Sequence, residues 1–292
     1  MDIEKQNILI TAPRSIISAS VMHRAIRSDD FNVFTGQRSV ISNKDVTFRT
    51  LDFHQAFTYR DALKDIDVVF LCVPDSYSSF DKIHYQNFIK ACELSNIKKI
   101  VMSSIFNAQK TWYLPIGNVE KMLEESQLNY SIIRSTVFMQ NLITYFKSDI
   151  TKDQKLFVPN YQTKLNWIDA LDVAKVILMA ASDHQLFKNE IVTITGPQNK
   201  NFMEVTAKLT ASLPFEIEHS NKLPTSLRGK SWKDKLILFF LPALILISKK
   251  VKPTNQFEEI TGRPPRTLSE FIMRKLPELM PEKEKTKKLT LL

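Results

Sequence analysis

Apolar runs of strand length alternate with stretches of helical period through the first half of the chain. The runs cover residues 8–11, 31–35, 46–50, 68–73, 99–103 and 130–134. Helical spacing of apolar positions predicts helices over 18–28, 59–64, 80–94 and 119–126, the last with Asn118 as its N-cap. Strands that alternate with helices in this way predict βαβ units, and therefore an α/β fold with a parallel, doubly wound sheet. Ligands of such sheets bind beyond the carboxyl ends of the strands. The loops at Ala12, Arg38, Asp52, Val73 to Asp75 and Ser103 to Asn107 are thus predicted to line one cleft.

Further along, the rhythm loosens. Residues 167–182 predict a strand end followed by a helix that Asp169 or Asp172 can cap, and 190–195 a last strand closed by Gly196-Pro197. Residues 201–212 have amphipathic helical spacing, and 215–276 are aliphatic and helical in pattern, as in a small lobe over a cleft. The expected organisation is one domain over 1–276, with a core of about 1–150 plus 168–195, a lobe of about 151–167 plus 196–276, and a charged tail over 277–292. The most apolar stretch, LILFFLPALILI at 236–247, contains Pro242 and falls short of the roughly twenty residues a membrane span needs. It is expected to line or close the cleft, with no stable membrane span.

At the first strand-to-helix turn, Asn7-Ile8-Leu9-Ile10-Thr11 runs into Ala12-Pro13-Arg14-Ser15-Ile16-Ile17-Ser18. Ala12, Ser15 and Ser18 occupy the positions at which a G-x-x-G-x-x-G dinucleotide loop carries glycine. Glycine there lets the chain turn tightly, brings amides to a pyrophosphate and packs the helix close to its strand. Here each position carries a Cβ, and Pro13 removes an amide donor. The chain holds only 5 glycines, at Gly36, Gly117, Gly196, Gly229 and Gly262. Cofactor binding is therefore expected to be weak or lost.

The formal net charge is +9. Lys283, Lys285, Lys287 and Lys288 against Glu282 and Glu284 put only a small share of it in the tail, so the rest is dispersed. A dispersed basic surface predicts no nucleic-acid partner, which would need a clustered stripe. Cys72 and Cys92 read as buried, reduced thiols of a cytoplasmic protein. The five histidines show no ligand spacing, and no metal site is expected.

Several strings together resemble the NmrA-like family of atypical short-chain dehydrogenases/reductases, in particular its ergot-alkaloid-reductase-like branch. They are Asp65-Ile66-Asp67-Val68-Val69-Phe70 with Val73-Pro74, residues 97–104 (IKKIVMSS), 128–134 (LNYSIIR), Phe138-Met139-Gln140-Asn141, Trp167-Ile168-Asp169 with Asp172-Val173-Ala174, Ile194-Thr195-Gly196-Pro197, and 260–268 (ITGRPPRTL). The resemblance implies a Rossmann-type core with a smaller helical substrate lobe, NADP(H) or NAD(H) as cofactor, and reduction of a small organic molecule. It implies cofactor contacts at Thr11, Ala12, Arg14, Ser15, Ser18, Arg38, Asp52, Val73, Pro74 and Ser103. Arg38 would meet an NADP 2′-phosphate, Arg14 would replace lost amide donors, and Asp52 would touch the adenine or simply form a turn. Ser103, Asn107 and Tyr113 are the candidates for chemistry. Arg134, Asn141, Trp167 and Asp169 read as organising residues.

Two departures bear on catalysis. Ile116 stands where the family commonly keeps Lys or His, four residues before the helix glutamate, here Glu120. Tyr113 is followed four residues later by Gly117, so the Tyr-x-x-x-Lys proton-donor pair is absent. The alternative expectation is a pseudoenzyme, or a dinucleotide-sensing regulatory or binding module, working through a protein partner. A small-molecule ligand and a homodimer are compatible with either.

Overall fold

The strand-like runs of the first half pair side by side. A computed structural model describes residues 4–40, 43–73, 82–110, 115–157, 162–220 and 251–280. Along the chain lie β1 (Gln6–Thr11), α1 (Ile16–Ala25), β2 (Phe31–Gln37), β3 (Thr47–Thr50), α2 (Tyr59–Leu63), β4 (Val68–Cys72), α3 (Lys82–Leu94), β5 (Lys99–Ile105), α4 (Pro115–Glu124) and β6 (Tyr130–Ser135). There follow β7 (Val137–Phe138), α5 (Asn141–Ser148), β8 (Lys155–Phe157), β9 (Leu165–Ile168), α6 (Ala170–Ser182), β10 (Glu190–Ile194), β11 (Asn199–Lys200), α7 (Phe202–Ser212), β12 (Glu218–Ser220), α8 (Gln256–Thr261) and α9 (Leu268–Leu279). Two compact units divide them, Met1–Ser135 with Ala170–Ile194, and Thr136–Asp169 with Thr195–Leu292.

The first unit is a Rossmann-type α/β fold. Its sheet has seven strands in the order β10-β6-β5-β4-β1-β2-β3, and every neighbouring pair is parallel. A parallel sheet is covered on both faces, and central β4 is buried at every position. On one face Leu9, Val69, Leu71, Ile100 and Met102 pack with Tyr59, Tyr85, Phe88, Val119 and Leu123 of α2, α3 and α4. On the other, α1 lies against α6.

Three local features differ from the sequence expectation. β2 runs on to Gln37, so Gly36 lies inside the strand, where a Cβ would come within 2.7 Å of Leu51 Cδ2. α1 starts at Ile16 because Ser15 caps it. α4 starts at Pro115, not beyond Asn118, since the fixed φ of proline suits a first helical position.

Lys99, the first residue of β5, is fully buried. Its ammonium donates to the carbonyls of Leu186 at 2.5 Å and Asp183 at 3.3 Å, in the loop just past the end of α6. Burial lowers its pKa to about 8.

In the second unit a small sheet of β11, β9 and β7 packs with α5, α7 and α9 around Trp167, Phe202 and Phe271. Trp167 Nε1 donates to Lys200 O at 2.9 Å. Asp169, fully buried, accepts 2.6 Å bonds from Gln140 Nε2 and Arg274 Nη2. Both residues therefore organise this unit. Capping boxes, Asn201 with Glu204 and Thr267 with Glu270, start α7 and α9. The apolar stretch 236–247 and the tail from 281 lie outside the described residues. No helix among the described residues is long and apolar enough to cross a membrane.

Candidate functional site

β1 and β4 are neighbours, so the turn after β1 meets the end of β4. Thr11 Oγ1 joins them, accepting from Cys72 N at 2.9 Å and donating to Phe70 O at 3.2 Å. The next residue, Ala12, has a φ of 47°. This left-handed conformation suits glycine and costs an alanine about 1 kcal/mol or more. The backbone thus keeps the course of a glycine turn without the glycine.

Ser15 and Ser18 close the turn. Ser15 N donates to Ala12 O at 2.9 Å, and Ser15 Oγ accepts from Ser18 N at 3.1 Å as the N-cap of α1. The Ser15 hydroxyl donates to Ser18 Oγ at 2.8 Å, and Ser18 Oγ to Thr11 O at 2.8 Å. Cys72 Sγ lies 3.3 Å from Ser15 Oγ and also donates weakly to Val73 O at 4.0 Å. Thr11, Ser18 and Cys72 are all buried. Side chains thereby satisfy groups that a glycine loop leaves open.

The other predicted residues are placed unevenly. Val73 is buried in the core at the end of β4. Ser103 pairs in register with Cys72 and is buried beside it. Arg14 and Arg38 are exposed. Asp52 Oδ1 accepts from His54 N at 3.0 Å, the bond of an Asx-turn, so its turn-forming role is realised. Asn107 adopts the left-handed region with a φ of 60°, which asparagine tolerates, just before a short helical turn. Pro74 and Tyr113 lie outside the described residues. Arg134 grips Glu120 through two bonds, Nε to Oε1 at 2.9 Å and Nη2 to Oε2 at 2.6 Å, tying β6 to α4 in a nearly buried pair.

Three residues at the same edge, Cys72, Gln37 and Arg49, escaped sequence reasoning. Among the described residues, Gln37 Nε2, Arg49 Nε, Ser104 Oγ and, deeper on β2, Thr35 Oγ1 are buried with no hydrogen-bond partner. Gln37 directly precedes the predicted Arg38, and Arg49 was legible only as a polar residue in a strand.

The fit to a dinucleotide differs along its length. At the pyrophosphate turn, Ala12 preserves the backbone course, but Pro13 offers no N–H and Ser15 already holds that of Ser18. Near the ends of β2, β3 and β5, buried polar atoms stand without a hydrogen-bond partner among the described residues.

Comparisons with known proteins agree with this fold. The profile of the NmrA-like family matches residues 4–200. Prestalk A differentiation protein A of Dictyostelium discoideum is 26% identical over 280 residues, 91% of either chain. An NAD(P)H azoreductase of Xenophilus azovorans is 26% identical over 233 residues, 75% of this chain and 79% of its own. Among solved structures, an NADPH-dependent quinone oxidoreductase of Escherichia coli, complexed with NADPH, superposes with a TM-score of 0.74 at 16% identity, covering 92% of this chain and 99% of its own.

Proposed function

The chain belongs to the NmrA-like family, and from that premise we propose that it is an NAD(P)H-dependent reductase of a small organic molecule with low cofactor affinity. The observation that carries this reading is Ala12 in the left-handed region at the β1–α1 turn. A chain freed from phosphate binding has no need to retain a strained turn there. The azoreductase among its relatives supports the same class of activity.

Thr11, Ala12 and Ser15 would present the turn to the pyrophosphate, with Arg14 supplying charge in place of lost amides. Val73 would pack beside the nucleotide, and Arg38 would stand at its ribose end. The bound nicotinamide supplies a hydride. Ser103, within β5, and Asn107, just past its end, would hold a polar atom of the acceptor. The Tyr-x-x-x-Lys proton relay is missing, which favours acceptors such as quinones, azo compounds or activated alkenes, whose reduction does not depend on that pair.

Calorimetric titration with NADPH, NADP, NADH and NAD tests the binding, with dissociation constants expected in the high micromolar range. Affinity at or below about 1 μM would contradict it. Loss of reduced-nicotinamide absorbance with a quinone or azo dye tests the chemistry. One observation favours a second reading: Ser15 caps the amide of Ser18 from within, as suits a dinucleotide-sensing module without turnover. Saturable binding with no oxidation of NADPH by any acceptor would select it.

A further inference from the structure

We propose that His54 and His84 form a binding site for a divalent transition-metal ion that favours right-angled coordination, as Cu²⁺ and Ni²⁺ do. His54 lies in the turn just past β3, and His84 in the first turn of α3. Both belong to the first unit. Their ring centroids stand 4.7 Å apart, with the ring planes at 80°. Imidazole is the commonest side-chain ligand of such metals, and two imidazoles within the span of one ion act as a chelate. The pair is distant in the chain, so no spacing in the sequence announces it.

The backbone that carries the rings is fixed from beneath. Asp52 Oδ1 accepts from His54 N at 3.0 Å. The hydroxyl of buried Tyr59 is shared between the carbonyls of Phe53 at 2.6 Å and His84 at 3.3 Å. The Phe53 ring stacks on that of Tyr85, with centroids 4.7 Å apart and planes at 20°. Adjacent residues of one segment thus meet adjacent residues of the other, Phe53 with Tyr85 and His54 with His84. This fixes the separation of the imidazoles before an ion binds, which lowers the ordering cost of binding. His54 is exposed and His84 half-buried, so the pair is open to an ion from solvent.

The separation selects the metal. A ligating imidazole has its centroid roughly 3.2 Å from the ion, given a metal–nitrogen bond of about 2.0–2.1 Å. Centroids 4.7 Å apart therefore subtend about 95° at a shared ion. Neighbouring positions of a square-planar or octahedral ion lie near that angle. Tetrahedral zinc would need the centroids roughly 5.2 Å apart. Among the described residues no group of three His, Cys, Asp or Glu is placed to hold a metal, so the pair supplies two ligands and water the others.

Calorimetric titration of Ni²⁺, Cu²⁺ and Zn²⁺ into the untagged full-length protein at about pH 7.5, where imidazole is neutral, is the test. Wild type should bind one Ni²⁺ with a dissociation constant of about 10–100 μM, and Cu²⁺ more tightly. Zn²⁺ should bind more weakly than Ni²⁺, because the angle suits it less. His54→Ala and His84→Ala should each weaken Ni²⁺ at least about tenfold. Electron paramagnetic resonance of the Cu²⁺ form should show two nitrogen ligands in wild type and one in His54→Ala. Thermal melts identify a variant that fails to fold; exposed His54 makes His54→Ala the deciding one if His84→Ala does. Absence of saturable Ni²⁺ or Cu²⁺ binding to wild type below about 1 mM overturns the proposal. Full-strength binding in either folded alanine variant overturns it too, since the ion would then sit elsewhere on the chain. Zn²⁺ held more tightly than Ni²⁺ would overturn the selection by angle.

Discussion

Cys72 Sγ lies 3.3 Å from Ser15 Oγ, joining the end of β4 to the cap of α1. Through Ser18, the same chain of hydrogen bonds ends on the carbonyl of Thr11. The turn that usually stays open for phosphate is here held by its own side chains. Folding stability and ligand affinity consequently compete for the same atoms.

Ser18 is the central link, fully buried with its hydroxyl engaged on both sides. Ser18→Ala should destabilise the protein by about 1–2 kcal/mol, because Thr11 O and Ser15 Oγ lose buried partners. Cys72→Ala should cost less, since a thiol is a weak donor. Urea unfolding of both variants measures the order. Equal losses would mean that packing, not the hydrogen-bond chain, holds the turn.

Ala12 and Ser15 are the places where affinity can be regained. Ala12→Gly removes left-handed strain of about 1 kcal/mol, offset by about 0.4–1 kcal/mol of added unfolded-state entropy, so stability should hold or rise slightly. Adding Ser15→Gly frees the Ser18 amide, and glycine at an N-cap costs only a few tenths of a kcal/mol. The double variant should bind NADPH several-fold more tightly than wild type by calorimetry. Extending it with Ser18→Gly should forfeit stability through the buried network. Unchanged affinity in the double variant would leave Pro13 as the obstacle.

The sheet was legible because its signal is redundant. Val68-Val69-Phe70-Leu71-Cys72 is apolar at every position, as a strand buried on both faces must be, and the strand-helix alternation around it admits few topologies. The turn was legible only as a spacing. That Ala12 is left-handed is not legible from its own residue type, because the local preference of alanine opposes it. Gln37 and Arg49 were hidden for another reason. Their nitrogens are buried without a hydrogen-bond partner among the described residues, and a missing partner has no sequence pattern. The Asn118 cap failed at short range, because Pro115 already suits the start of α4.

The Glu120–Arg134 pair is nearly buried, with side-chain exposures of 3% and 13%. Removing one charge strands the other, so Glu120→Gln should destabilise by about 3–5 kcal/mol. Replacing both, as Glu120→Leu with Arg134→Met, should be far milder than the sum of the single changes, since no uncompensated charge remains. A double-mutant cycle from denaturant unfolding gives the coupling. Additive losses would show that the pair acts through packing alone.

Lys99 makes stability depend on alkaline pH. Its folded pKa of about 8 lies below the ordinary value of 10.5. Below pH 8 both states are protonated and the folded state carries the full penalty of the buried ammonium. Between about 8 and 10.5 the folded protein releases the proton first, so the unfolded chain binds more protons and stability rises with pH. Above 10.5 the gain is complete. Tyr59, raised to about 12 by burial, and Cys92, raised likewise, act oppositely, because they keep protons in the folded state that the unfolded chain has lost. The comparison must therefore be wild type against Lys99→Met, in which those contributions cancel. Unfolding free energies should show wild type gaining on the variant from pH 8 upward and levelling off beyond 10.5. A constant difference across that range would mean that the carbonyls of Asp183 and Leu186 stabilise the ammonium as well as water does.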